Sequence, residues 1–243
     1  MRAGAIPAIT FAQMREVDRL MIDTLGVTLE QMMENAGRAL AELARRGLRG
    51  VRGERIAVLA GPGGNGGGAL VAARRLSVWG ASVSVVLATS RSGLHEVPAH
   101  QLAILSRMEV EVLGPSAVPP ELARSAMILD GVLGYGLAGA PRGYAAALID
   151  AANASGRPII ALDVPSGLPG SAGPPYGPTI RAHQTLTLAL PKVELLDPAA
   201  RPYVGELFLA DISVPALVYR AIGLDVGPIF ADADIVPLTF DAS

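Results

Sequence analysis

Three short segments of this chain hold residue types that could act together: Gly61–Gly68 (GPGGNGGG), Asp130–Ala140 (DGVLGYGLAGA) and Asp163–Leu168 (DVPSGL). The first contains G-x-G-x-x-G at Gly61, Gly63 and Gly66, with Asn65 as the polar side chain among the glycines. Residues without Cβ let backbone N–H groups approach an anion, and a helix N-terminus adds about 0.3–1 kcal/mol per favourable charge. One reading is therefore a phosphate cradle; the other is a tight β-to-α turn that needs glycine for positive φ. Asp130 and Asp163 each end an apolar run. Burying a carboxylate there without a partner costs several kcal/mol, so each is hydrogen-bonded, bound to a cation or raised in pKa, unless it merely caps the next turn. With Asn65 and Ser166 they make an oxygen-rich set suited to a hard cation. Ser166 has no histidine near it in sequence, and DVPSG is not a G-x-S-x-G elbow, so no nucleophile–base pair is evident.

The elements around these segments place them at one edge of a sheet. Phe11 to Thr24 has helical spacing with Thr10 as N-cap, and a second helix starts after Thr28, with Gln31 completing a capping box. The methionines of these two helices read as core or interface filler. Arg55–Ala60 is a short apolar run entering the glycine segment, and a helix is expected over Ala69–Trp79. Strands follow at Val83–Ala88, Glu109–Leu113, Ala126–Leu129 and Pro158–Leu162, with helices at Val97–Arg107 and Ala145–Ala154 between them. Thr185–Leu190 and Gly205–Ala210 are late strands joined without a long helix. Alternating short apolar strands and helices predict an α/β fold: a mostly parallel, doubly wound sheet in three layers, α/β/α, preceded by two extra helices. In such sheets ligands bind outside the carboxyl ends of the strands, where all three segments fall.

Composition removes several function classes. The 20 basic and 22 acidic residues leave a formal charge of −2, so there is no net pull toward nucleic acid or anionic membranes. The chain contains no cysteine, which excludes thiolate metal sites and cysteine nucleophiles. His95, His100 and His183 lack the spacing of a catalytic zinc site, and His95 and His100 read as surface residues. No apolar run is long enough to span a membrane and residues 1–10 lack a signal-peptide core, so a cytoplasmic protein is expected. After the second strand, Thr89, Ser90 and Arg91 stand where an ordinary dinucleotide dehydrogenase has an acidic ribose ligand. Arg91 leaves an NADP oxidoreductase as an alternative.

The segments FAQMREVD, MMENAGRAL, GPGGNGGGALVAARRL, LDGVLGYGL, LDVPSGL, ALPK and YVGELFLADISVP occur in an order that resembles the YjeF N-terminal domain family. The resemblance implies a Rossmann-like fold across 1–243 as a single such domain, and a homodimer. It implies the activity of an NAD(P)HX epimerase, which interconverts the R and S forms of hydrated NADH and NADPH. It also implies a potassium ion held by Asn65, Asp130 and Ser166. Substrate would be met by Gly64, Asn65, Gly66, Gly67 and Gly68, by Gly134, Tyr135, Gly136, Leu137, Ala138, Gly139 and Ala140, and by Asp163. In many bacteria this domain is fused to a dehydratase; too few residues follow the last matched motif to hold one, so either a separate dehydratase is the partner or the sequence is truncated.

The family's glycine loop usually reads GPGNNGGDG, whereas this chain has Gly64 and Gly68 in place of its first asparagine and its aspartate. A catalytically weak nucleotide-binding or scaffold protein of the same fold is therefore an alternative to the epimerase. In the epimerase reading, the hydroxyl on carbon 6 of the hydrated nicotinamide departs and water returns to the other face. Asp163 is the expected general acid and base, and the counter-charge to the iminium intermediate.

Overall fold

The computed structural model describes residues 1, 6–113, 118–136, 139–170 and 173–240. Helix α1 spans Phe11–Arg19 and α2 spans Leu29–Gly47; Thr10–Gln13 and Thr28–Gln31 form reciprocal capping boxes at their starts. The expected helix to Thr24 continues past α1 as a π-turn over Leu20–Thr24, with Leu25 N–H donating to the Leu20 carbonyl at 3.1 Å.

The rest of the chain alternates. Strand β1 (Arg55–Ala60) leads into α3 (Gly64–Val78), β2 (Ser82–Leu87), α4 (Glu96–Arg107), β3 (Glu111–Leu113), α5 (Val118–Arg124) and β4 (Met127–Gly131). Helix α6 (Gly143–Ala154) and strands β5 (Ile159–Leu162) and β6 (Gln184–Leu188) follow. The short helices α7 (Val193–Leu196) and α8 (Arg201–Val204), strand β7 (Glu206–Ala210), helix α9 (Ala216–Ala221) and strand β8 (Ile235–Leu238) complete it. The strands form one sheet in the order β3-β2-β1-β4-β5-β6-β7-β8, parallel throughout except for the β7–β8 pair.

Both faces of the sheet are covered, as parallel strands require. Ile56, Val58 and Ala60 of β1 pack with α2 and α3 on one side, while Ala57 and Leu59 pack with α5 and α6 on the other. Helix α3 begins at Gly64 rather than Ala69, so the glycine segment is itself the first helical turn. Glycine is a poor helix former, and tertiary contact outweighs that preference here. A Cβ on Gly37 of α2 would lie 2.5 Å from the Gly68 carbonyl oxygen, so the two helices cross at backbone contact.

The amino-terminal segment is anchored next to β6. Ile9 N–H donates to the Pro191 carbonyl at 2.8 Å, and Val193 N–H donates to the Ile9 carbonyl at 3.0 Å. Thr10 then caps α1, so this short parallel bridge sets where α1 starts. None of the described helices is long and apolar enough to cross a membrane.

Candidate active site

The strand order reverses between β1 and β4, the place where an open α/β sheet leaves a crevice at its carboxyl edge. A cleft of about 510 Å³ lies there. Its walls come from Pro62–Gly66 after β1, Val132–Gly136 after β4, Asp163 after β5, Leu188 at the end of β6 and Ile212 after β7. Helices α1 and α2 close the remaining side with Met14, Asp18, Leu29, Met32 and Met33. Met14 and Met32 are also buried in the core, as methionines filling an irregular junction should be.

The glycines of the first loop are required by close approach. None of Gly61–Gly68 has positive φ, so the positive-φ turn expected as one alternative does not occur. A Cβ on Gly61 would meet the Val132 carbonyl oxygen at 1.8 Å, and one on Gly66 would meet the Gly61 carbonyl oxygen at 1.9 Å. Side chains there would push the β1 and β4 loops apart and open the crevice. Gly67 and Gly68 face inward instead: Gly67 lies against Met33, and a Cβ on Gly68 would lie 2.8 Å from Leu162 Cδ2. Neither lines the cleft, and nor do Gly139 and Ala140; Leu137 and Ala138 lie outside the described residues.

Asn65, Asp130 and Ser166 converge in one network. The Ser166 hydroxyl donates to Asp130 Oδ1 at 2.6 Å, Ser166 N–H donates to Oδ2 at 2.9 Å, and Val132 N–H donates to Oδ1 at 3.1 Å. Leu133 N–H in turn donates to Ser166 Oγ at 2.8 Å. Burial pushes the Asp130 carboxyl up to about 6, against these hydrogen bonds, which favour its ionised form. The Asn65 amide reaches across both strand ends, donating to the carbonyls of Leu133 at 3.1 Å and Leu162 at 2.8 Å. Gly134 allows this, since a Cβ there would be 3.0 Å from the Asn65 side chain.

Asp163 stands beside this network in a different setting. It has φ of 64°, and Val164 N–H donates to the Leu162 carbonyl at 2.8 Å, a γ-turn of the strained hand. Ala189, just after β6, repeats the turn with φ of 63° and a Leu190-to-Leu188 bond of 2.7 Å. The two turns bring Asp163 Oδ1 to the Leu188 N–H at 3.2 Å, and both residues border the cleft. The same oxygen receives the Lys192 ammonium, which also donates to the Leu188 carbonyl at 2.7 Å and to Thr187 Oγ1 at 3.3 Å. Both partners are buried, Lys192 at 0% and Asp163 at 1% exposure. Among the described residues no hydrogen bond engages Asp163 Oδ2.

Tyr135, after β4, donates its hydroxyl to Asp18 Oδ2 on α1, and its ring packs on Phe11 at 5.8 Å between centroids. Burial raises the Asp18 carboxyl above its ordinary pKa; the Tyr135 hydrogen bond opposes this, and the Asp163 charge adds to it more weakly. Burial and the neighbouring Asp18 raise the Tyr135 phenol further, so the tyrosine remains a donor.

Sequence reasoning passed over Asp18 and Lys192 as site residues. Asp18 borders the apolar stripe of α1, at helical spacing from Met14 and Met21, where a carboxylate is out of place without a task. Lys192 is the one lysine in a chain whose other cations are arginine, and it follows a strand. His95 and His100 are exposed, as expected, with His95 at the cleft margin. Arg91 does not line the cleft; it is exposed and donates to Ser106 Oγ at 3.4 Å, which removes the observation that favoured an NADP oxidoreductase.

Known proteins resemble this chain in sequence and in fold. An NAD(P)H-hydrate epimerase of Dehalogenimonas lykanthroporepellens is 46% identical over 221 residues, covering 90% of this chain and 87% of the relative. A second NAD(P)H-hydrate epimerase, from Rhodopirellula baltica, is 33% identical, covering 88% of each chain. A bifunctional NAD(P)H-hydrate repair enzyme of Salinibacter ruber is 33% identical over 228 residues, which cover 87% of this chain and 42% of that protein. The crystal structure of yeast ynu0 superposes with a TM-score of 0.79 at 25% identity, over 96% of this chain and all of that one. The family described as YjeF-related protein N-terminus matches residues 29–194, and the chain belongs to that family.

Proposed function

We propose that this chain is an NAD(P)H-hydrate epimerase, an isomerase that interconverts the R and S forms of hydrated NADH and NADPH for cofactor repair. The observation that carries the reading is the Asp163 carboxylate at the floor of the crevice between the glycine loop and the β4 loop. The glycine loop and Gly134–Gly136 suit the diphosphate and ribose, with the α3 N-terminus adding its dipole. The whole chain then acts as a single domain of the family.

The ring nitrogen lone pair expels the carbon 6 hydroxyl as water and leaves an iminium ion, to which water returns. Asp163 supplies negative charge beside that cation and exchanges protons with the oxygen at carbon 6. Lys192 and the Leu188 N–H hold its Oδ1, so the second oxygen is the one offered to substrate.

Potassium is the cofactor this reading assigns. Its residues would be Asn65, Asp130 and Ser166, an all-oxygen donor set once the Asn65 amide turns to present Oδ1. The hydrogen-bond network sets which way that amide points, and at present its nitrogen supplies positive charge to two backbone carbonyls. A monovalent cation held there would take the place of those N–H donors toward the carbonyls and neutralise Asp130 at a buried site. Its task is to fix the three loops.

We also assign a cytoplasmic homodimer that works beside a separate dehydratase. The bifunctional NAD(P)H-hydrate repair enzymes among the relatives, of which this chain covers about two-fifths, support a second repair activity acting alongside. The test is direct: pure S-epimer incubated with micromolar enzyme should give the R-epimer, resolved by chromatography. No exchange by folded protein would leave the scaffold alternative standing.

A further inference from the structure

Epimerisation at carbon 6 has a requirement that one carboxylate does not meet. The group that protonates the departing hydroxyl of one epimer is, by microscopic reversibility, the group that deprotonates the water forming that same epimer. The other epimer forms on the opposite face of the ring, where a second proton carrier is needed. Among the described residues, the cleft is lined by two carboxyl side chains, Asp163 and Asp18.

They come from different elements. Asp163 ends β5, whereas Asp18 is on α1, which the Ile9–Lys192 bridge launches across the strand ends. Asp18 is half-buried and receives the Tyr135 hydroxyl on Oδ2, while Oδ1 has no hydrogen bond among the described residues. Tyr135 is in turn fixed by Phe11. The other charged groups that bear on Asp18 are Asp163 and Lys192, and burial favours its protonated form.

Building on the epimerase reading, we propose that Asp18 is the second catalytic residue, transferring protons on the ring face opposite Asp163, with Tyr135 as its positioning residue. Protonated Asp18 gives its proton to the carbon 6 hydroxyl on its face. The C6–O bond breaks, water leaves, and the nitrogen lone pair forms C6=N1⁺. Water on the other face then forms a new C6–O bond as the π pair returns to nitrogen, and its proton passes to Asp163. Exchange of both carboxyls with solvent restores the starting state, and the reverse sequence uses the same groups in swapped roles.

The experiment follows each epimer labelled with ¹⁸O at carbon 6. Wild-type enzyme should interconvert the epimers and release label from both. Asp18→Asn should slow interconversion about 100-fold in both directions, the lower end for loss of a general acid. It should still release label from the epimer whose hydroxyl faces Asp163, and lose release from the other. Asp163→Asn should give the mirror result, and Tyr135→Phe a partial form of the Asp18→Asn pattern. Asp18→Glu, which keeps a carboxyl, should recover the lost release and covers the case of an Asn variant that does not fold. Equal release from both epimers in folded Asp18→Asn, whether fast or slow, overturns the proposal, as does one-sided release in His95→Gln. Wild-type protein that neither interconverts the epimers nor releases label overturns the epimerase reading instead.

Discussion

Lys192 and Asp163 form an ion pair with neither side chain open to solvent, at the point where strained turns end two neighbouring strands. Removing one partner of such a pair strands the other charge, at about 3–5 kcal/mol, whereas removing both costs far less. Lys192→Met is therefore expected to lower unfolding free energy by that amount. The Asp163→Asn/Lys192→Met double variant should regain much of it, and denaturant titration of the four proteins checks the cycle. Interconversion of the epimers should be slowed in all three variants, because the carboxylate and its orientation serve the reaction as well as the fold.

Asp130 gives a pH dependence of stability with a definite sign. Its folded pKa of about 6 lies above the ordinary value of 3.8. Between those values the folded chain keeps a proton that the unfolded chain has released. This group's contribution therefore falls as pH rises from about 4 to about 6 and is level above that, a change of order 3 kcal/mol at most. In potassium-free buffer, unfolding free energy measured from pH 4 to pH 8 should show this decline in the wild type relative to Asp130→Asn. A constant difference between the two proteins across the window would contradict it.

Much of this arrangement was legible before any coordinates. Apolar strands running into Asp130 and Asp163, and capping boxes at Thr10 and Thr28, are local signals that tertiary structure left intact. What was not legible depended on long-range contact. Helix α3 starts among glycines because Gly37 and Gly68 meet at backbone distance, which propensity opposes. Strand β8 carries Pro237, which reads as a breaker yet is tolerated on the edge strand it forms. The short helices α5 and α9 offered too few turns for periodicity to register. Asp18 and Lys192 were visible as anomalies, but only the Ile9–Lys192 bridge brings them to Asp163.

Gly64 and Gly68, both departures from the usual loop of the family, should respond differently to restoration. The nearest atom to a Cβ on Gly64 is Met33 Cε at 3.7 Å, ordinary contact at the cleft wall. Gly64→Asn should fold as the wild type does and change KM for hydrated cofactor by no more than tenfold. Gly68→Asp must displace Leu162 and place a carboxylate between α2 and β5, where it meets Ala36 and the Gly37 backbone. A loss of about 2–4 kcal/mol is expected from the unpaired polar group. For a chain of this length that corresponds to a melting point lower by roughly 5–15 °C, which differential scanning calorimetry would register.

Potassium should stabilise the folded chain if Asn65, Asp130 and Ser166 hold it. An ion that binds only the native state adds RT ln(1 + [L]/Kd), about 1.4 kcal/mol at a tenfold excess over Kd. Replacing lithium or tetramethylammonium chloride with potassium chloride at constant ionic strength should raise the melting point by roughly 2–5 °C. Ser166→Ala and Asn65→Ala should each remove that increment. They do so for different reasons: the first takes the hydroxyl that bonds Asp130, the second the amide that spans the ends of β4 and β5. Asp163→Asn should keep the increment, because its hydrogen bonds run to Thr187, Leu188 and Lys192. An increment that survives in Ser166→Ala and Asn65→Ala would mean that the ion acts elsewhere on the molecule.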